Sequence, residues 1–477
     1  VLNEYVYPLR DQVNEIKSIK FYSAKAADRN EKREDLANVE GIKEVISEVT
    51  RQYVATTTNV PIKGFLFNPV TGYITNEVWS VIEAHVVPAS TPSIPLCKKG
   101  TTNGEIFKKY SPELKLLVEG RLSLLMRTKI PVNLAKGPPT IAEMQVLRDQ
   151  LLPVDIVQKG LQDPVRYMNK ADFIKKNKEL RGIFAVSLID SIIDMLVFTD
   201  QGLEDMKNWV DGCVSSGIDF YTQANSKAFF KSVREDEKKI GKLMQDDIEN
   251  WDWSVTPTNY YTSASVLCLQ RTGKELDTFD RVLNFDDPCD CYVHLLLMRS
   301  VLLMLILVVL TNGIMIIIAS TLLPSGARFT NSGGSVMRIS LGAVLRALMI
   351  KIVKFLKTRA NGDDCLEPFL EGLRLWYNKF GFIVTDEVVS TDSDDGYFTY
   401  CSQIFTKDGS YPENWKKPLL KLVNQNDWNE GTGEPSEHLI EFNERDESRP
   451  GHSDTMVELT SLWERFCQSK VETVDDV

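Results

Sequence analysis

Apolar positions along the chain change their spacing several times, and each change predicts an element. Residues 1 to 60 read as helical and polar, whereas 61–105 are rich in Pro, Thr and Gly and read as loop. Helical apolar spacing returns over 111–127 and 140–151. It returns again over 183–197, which is apolar enough to predict a buried helix. A strand is expected to end at Asp247. No internal repeat and no long low-complexity linker interrupts the chain, so its subdomains should be interwoven in one body.

Residues 301–323 are uncharged and strongly apolar, and their length alone would suit a membrane span. Asn312-Gly313 sits inside the run with β-branched residues after it, which is a hairpin signal. The expectation is a helix running to about Leu305, then a buried hairpin, with no intrinsic membrane span.

Composition narrows the class only a little. The 477 residues suffice for about three domains, and 43% apolar with 25% charged content is ordinary for a globular protein. The first residues show no signal peptide pattern. Eight cysteines without a Cys-x-x-Cys pair, and four dispersed histidines, give no metal-ligand spacing. Reduced cysteines in a cytosolic setting are the expectation. The net charge of −11 argues against nucleic-acid binding, but its distribution does not. From Ser325 to Ala360 there is no acidic residue, while Arg328, Arg338, Arg346, Lys351, Lys354, Lys357 and Arg359 lie there. Such a run predicts a basic stripe facing a polyanion. Residues 427–450 are conversely acidic.

The candidate chemistry is carried by acids. Gly362-Asp363-Asp364 places two adjacent carboxylates on a glycine turn between apolar segments. Their mutual repulsion is relieved when hard cations such as Mg²⁺ lie between them. Gly-Asp-Asp alone describes many solvated turns; order along the chain makes it selective. Upstream, Asp247 and Asp252 form Asp-x4-Asp with Trp251 and Trp253 around the second acid. Between the acid groups lies Ser325-Gly326-Ala327-Arg328-Phe329-Thr330, followed by Ser335, at the start of a long helix.

Asp-x4-Asp, Ser-Gly-x3-Thr and Gly-Asp-Asp, in that order, resemble motifs A, B and C of viral RNA-dependent RNA polymerases of positive-strand viruses. Within these, the stretches from Asp247 to Val255 and from Ala360 to Glu367 are similar to the sobemovirus-like group. Residues 165–198 resemble motif F, 90–104 the motif G region and 398–405 the motif E hairpin, so the likeness covers about 85–410. Gly334 stands where the family usually has Asn, with Asn331 and Ser332 nearby as substitutes. Lys379 precedes Gly381 where motif D usually offers a Lys beyond its glycine turn, and Ser93 replaces a common Gly in motif G.

The resemblance implies an α+β right-hand polymerase fold: fingers, a palm with an antiparallel sheet, and a thumb, largely helical outside the palm. The implied divisions are 1–230 for the N-terminal region and fingers, 231–262 for palm motif A, 263–304 for a fingers insertion, 305–405 for the remaining palm motifs, and 406–477 for thumb and acidic C-terminal region. It implies RNA-templated RNA synthesis by two-metal nucleotidyl transfer. Asp247, Asp363 and Asp364 would be the catalytic metal ligands for Mg²⁺, with Mn²⁺ as an alternative ion. Lys170, Lys175, Lys176, Arg181, Asp252, Ser325, Thr330 and Asn331 would contact the nucleoside triphosphate. Ser90, Lys98, Lys99, Gly326, Arg338, Cys401 and Ser402 would contact template or primer. Implied partners are template and nascent RNA, viral replication proteins or a protein primer, in host cytoplasm at membrane-associated replication sites. Two other readings compete: a reverse-transcriptase-like polymerase, which shares the palm, and a membrane-anchored replication scaffold using 301–323.

Overall fold

The computed structural model describes residues 5–6, 12–170, 174–175, 178–216, 222–279, 283–389 and 396–414. It is a mixed α+β structure, mostly helical, with several small sheets. The N-terminal part holds β1 (Tyr5–Val6), α1 (Gln12–Lys32), α2 (Ile42–Val54), α3 (Asn76–His85), α4 (Asn103–Arg127), α5 (Ile141–Gln150) and α6 (Pro153–Gln158). The 61–105 stretch, expected as loop, therefore contains α3. Thr75 caps it by accepting from the Val78 N–H, and Trp79 and Ile82 bury its inner face. The 183–197 stretch also divides. After β2 (Val165–Asn169) and β3 (Ile174–Lys175), residues 182–185 form β4 (Gly182–Ala185), paired with β2, and α7 (Leu188–Lys207) begins only after the Ser187 cap.

The central part runs α8 (Gln223–Ile240), β5 (Leu243–Ile248), α9 (Trp251–Ser254), α10 (Pro257–Thr272), α11 (Pro288–Leu303), β6 (Leu307–Val309), β7 (Met315–Ile317) and α12 (Thr330–Ile350). It continues with β8 (Arg359–Asn361), β9 (Asp364–Pro368), α13 (Leu373–Lys379), β10 (Val384–Val389), β11 (Phe398–Tyr400), β12 (Gln403–Thr406) and β13 (Gly409–Pro412). Thus 301–323 is no single helix: α11 ends, and a hairpin turns at Asn312-Gly313, with Gly313 at φ +84°. Only β6 is buried. In the sheet order β4-β2-β6-β7, β7 is the edge, and Met315 and Ile317 face solvent, which corrects the expected buried hairpin. The one described helix long and apolar enough to cross a membrane is α12, and 83% of its apolar window is buried inside the protein.

The site is positioned by the antiparallel sheet β10-β5-β9-β8. β5 pairs on both sides, with α12 packed against β8 and β9 and α13 against β10. One face of α12 presents Ser335, Arg338, Gly342 and Arg346, spaced so that they line up along the helix. Arg338 is fully buried. It donates to Asp246 Oδ2 at 2.5 Å, to Glu367 Oε1 at 3.1 Å and to the Tyr377 hydroxyl at 2.5 Å. Arg346 donates to Glu367 Oε2 and, at 3.0 Å, to Thr358 Oγ1. A Cβ at Gly342 would lie 2.5 Å from Glu367 Oε2 and 2.7 Å from the Tyr377 hydroxyl, so the helix needs glycine there.

These contacts overturn the expected basic stripe and remove Arg338 from the template contacts. Arg338 and Arg346 are enclosed by their acids, and Arg359 is buried against Asp236, Ser232 and the Val210 carbonyl. Lys357 also pairs with Asp236, and Arg328 donates to the His85 carbonyl; Lys351 and Lys354 remain exposed. The acids that neutralise the run come from distant segments, so the run's sign pattern does not describe a surface.

Removing one member of a buried ion pair leaves its partners charged and dry. Arg338→Ala should therefore cost about 3–5 kcal/mol in denaturant unfolding, whereas Lys354→Ala should change stability by less than about 0.5 kcal/mol. Equal, small effects would contradict the buried cluster.

Candidate active site

Strand alternation divides the work of two neighbouring acids. Along β5, Asp246 points into the core to meet Arg338, and Asp247 points to the opposite, half-buried face. Asp246 lies opposite Cys365 on β9, so one further step brings Asp247 alongside Asp364. Asn361 pairs with Asp364, leaving Gly362 and Asp363 as a two-residue hairpin turn. Gly362 has φ +68° and Asp363 is not at positive φ, the pattern of a type II′ turn that requires glycine first.

Asp252 reaches the same place from α9, after Asn250 turns the chain at φ +52°. Its carbonyl accepts the Leu323 N–H at 2.8 Å, which joins α9 to the segment leading into Ser325. Electrostatics shows that the acids share one region. Burial, then Asp363 and Asp247, push the Asp364 carboxyl up to about 7, although the Cys401 backbone N–H donates to it. Burial, then Asp363, push Asp252 up to about 6, while Arg181 pulls it down. Asp247, Asp252, Asp363 and Asp364 thus gather from three segments.

Around the acids, Arg181 is exposed at the edge of β4 and faces both Asp252 and the Tyr22 hydroxyl. Its carbonyl accepts the Lys170 N–H at 2.9 Å, which brings exposed Lys170 beside it. Lys175 lies on β3 with its side chain outside the described residues, as is all of Lys176. Ser325 Oγ accepts the Phe184 N–H at 3.1 Å, and a Cβ at Gly326 would lie 2.2 Å from the Phe184 carbonyl oxygen. Gly326 is therefore needed for the loop to approach β4. Thr330 donates its hydroxyl to the Pro324 carbonyl, and Asn331 is exposed one residue on. A Cβ at Gly334 would lie 3.1 Å from Leu323 and 3.6 Å from Trp251 Nε1, pointing toward the Asp252 turn.

The remaining expected contacts lie further out. Cys401 and Ser402, at φ +51° and +59°, form the turn between β11 and β12, and Asn361 Nδ2 donates to Cys401 Sγ at 3.4 Å. Ser90, Lys98 and Lys99 are exposed on the loop after α3, and Lys99 sits over the Tyr110 ring. Ser93, fully buried at φ +55°, ties this loop to β4 by donating to the Ala185 carbonyl at 2.8 Å.

One set of residues and one contact escaped the sequence reading. On α1, Lys25 pairs with Glu249 at 2.6 Å. Just past its end, Arg33 donates to the Ser254 and Phe380 carbonyls, each at 2.9 Å. They brace the chain on both sides of Asp252, and no motif in the polar N-terminal segment signals it. Ser335 Oγ accepts the Gly362 N–H at 2.9 Å, a contact that helix spacing cannot foretell.

The four carboxylates offer only oxygen donors, the kind that hard divalent cations take, and Asp363 acts electrostatically on both Asp252 and Asp364. Asp246, Cys365 and Glu367 also cluster within 4.8 Å, but the guanidinium groups already neutralise that cluster. For Glu367, burial is outweighed by Arg338 and Arg346, which hold it below the usual range.

Four acids from three segments, with Arg181 and Lys170 beside them, form the candidate site. The chain is distantly homologous to sobemovirus replicase polyproteins and to a viral RNA-directed RNA polymerase. It is 22% identical to replicase polyprotein P2AB of Southern bean mosaic virus over 72% of this chain and 32% of that protein. For replicase polyprotein P2AB of Southern cowpea mosaic virus, 22% identity covers 71% and 32%. It is 26% identical to the RNA-directed RNA polymerase of Mushroom bacilliform virus, over 74% of this chain and 79% of that protein. The chain spans about a third of the length of the two replicase polyproteins. No protein-family model matches it.

Asp364 near 7 must lose its proton before it can ligate a cation, so binding should strengthen as pH rises to about 7 and then level. Calorimetric Mn²⁺ affinity should be about tenfold weaker at pH 6 than at pH 8, and Asp364→Asn should flatten the profile. A native affinity independent of pH over this range would contradict the crowded-acid geometry.

Proposed function

We propose that this chain synthesises RNA on an RNA template by nucleotidyl transfer. The convergence of Asp247, Asp252, Asp363 and Asp364 supports the reading most, because three separate segments must be folded to assemble it. Homology to RNA-directed RNA polymerases supports it independently. On this reading β10-β5-β9-β8 is the palm sheet and the N-terminal region with β2 and β4 forms fingers, while residues 415–477 of the expected thumb lie outside the described residues. Partners are RNA and nucleoside triphosphates, and the setting is viral replication in a host cell.

Asp247 and Asp363 hold the cations, with Asp364 beside them. When bound, the two ions acidify the primer 3′-hydroxyl and neutralise the triphosphate and departing pyrophosphate. Arg181 and Lys170 add fixed positive charge on the triphosphate side. Asp252 reads the ribose, assisted by Asn331 or Ser332, because Gly334 carries no side chain where one would point toward the Asp252 turn. Ser90, Lys98, Lys99, Cys401 and Ser402 flank the path of template and primer.

Primer extension on an RNA template with Mg²⁺ tests the assignment. Asp247→Ala and Asp363→Ala should each abolish nucleotide addition while keeping the fold. A residual rate within about tenfold of the unsubstituted chain, ~1.4 kcal/mol in barrier, would contradict it. A product made only from deoxyribonucleotides would favour reverse transcription instead.

Sugar selection gives a second expectation. A hydrogen bond to a charged group contributes ~1.5–3 kcal/mol, so Asp252→Ala should reduce GTP-over-dGTP preference in kcat/KM by roughly tenfold to 150-fold. Unchanged preference would place ribose reading elsewhere.

A further inference from the structure

We propose that Ser335 is a positioning residue that links the nucleotide-facing start of α12 to the Asp363–Asp364 turn. The inference rests on the function proposed above. Ser335 is fully buried in the second turn of α12. Its hydroxyl donates to the Asn331 carbonyl at 2.7 Å, and the same oxygen accepts the Gly362 N–H at 2.9 Å. A serine bonding back to the carbonyl four residues earlier is common in helices. The second bond, to a backbone group 27 residues away, is not part of that habit.

The position of this second bond is informative. In a two-residue hairpin the flanking residues, here Asn361 and Asp364, make the ladder bonds, and the Gly362 N–H has none within the ladder. Ser335 supplies its acceptor and so sets the tilt of the turn that carries Asp363. A hydroxyl acting as donor and acceptor at once makes a continuous chain, Gly362 N–H to Ser335 O–H to Asn331 C=O, whose bonds reinforce one another. Asn331 stands exposed at the other end, one residue after Thr330, whose own hydroxyl is bonded to Pro324. A nucleotide sugar that engages the Asn331 side chain shifts its peptide, and the shift reaches the acid turn through one oxygen. Further along the same face, Arg338 and Arg346 anchor the helix to β5 and β9, so movement is confined to its first turns.

The test combines kinetics, ion binding and a double-substitution cycle on the full chain. Ser335→Ala should keep its melting temperature within a few degrees. It should lower kcat for GTP addition about tenfold with KM nearly unchanged, and weaken Mn²⁺ binding, read by electron paramagnetic resonance without nucleotide or RNA, about fivefold, the worth of one or two ordinary hydrogen bonds. Ser335→Cys, a weaker donor and acceptor, should fall between. Asn331→Ala and Ser335→Ala should each lower GTP-over-dGTP preference, and the double substitution should lower it no further than the larger single effect. Additive effects, or unchanged Mn²⁺ affinity and kcat in a folded Ser335→Ala chain, would overturn the link while leaving the polymerase reading intact. An inactive unsubstituted chain would instead overturn the reading on which the link rests; in that case intact Mn²⁺ affinity in Ser335→Ala would still overturn the positioning itself.

Discussion

Arg338 is the constraint on which the geometry of the candidate site depends. Asp246 and Glu367 are wholly buried carboxylates on adjacent strands, and without a guanidinium between them they would repel. Each sits close in sequence to a candidate metal ligand: Asp246 directly before Asp247, and Glu367 three residues after Asp364. Burial pushes Asp246 well up and Arg338 opposes it. The Tyr377 hydroxyl donates to Glu367 at 2.7 Å and closes the cluster from α13. Gly342 completes the device, because a Cβ there would crowd the Glu367 carboxylate and the Tyr377 hydroxyl.

The same strand thus carries Asp246, paired inward with Arg338, and Asp247 on its opposite face. On the inner face charge is balanced by protein. On the outer face Asp247, Asp252, Asp363 and Asp364 are brought together with Arg181 as the opposing charge that lowers Asp252. Burial first, and the neighbouring acids second, raise the Asp252 and Asp364 carboxyls to about 6 and about 7, and a divalent cation would lower both. Rigidity inside therefore permits repulsion outside. The α1 segment adds to it by holding the chain around Asp252 through Glu249, Ser254 and Phe380.

The acids were legible in the sequence because their chemistry forces local signatures: a glycine before two aspartates, and a fixed interval between Asp247 and Asp252. The Asn312-Gly313 turn was legible for the same local reason. What failed depended on distant partners. The basic run looked like a surface until Asp236, Asp246 and Glu367 appeared beside it. The edge position of β7 follows from sheet order, which no stretch of eleven residues encodes. The start of α7 was misjudged because β4 and α7 are both apolar, and the Ser187 cap is one small residue between them. The acidic 427–450 segment and Lys176 lie outside the described residues.

Anomalous scattering from crystals of the chain soaked in Mn²⁺ would test the central claim most directly, because it locates ions without relying on turnover. Manganese is expected between Asp247 and Asp363, with Asp364 in reach, and not at the Asp246–Cys365–Glu367 cluster, where Arg338 and Arg346 already supply the charge. Manganese at that buried cluster, or none beside Asp363, would contradict it.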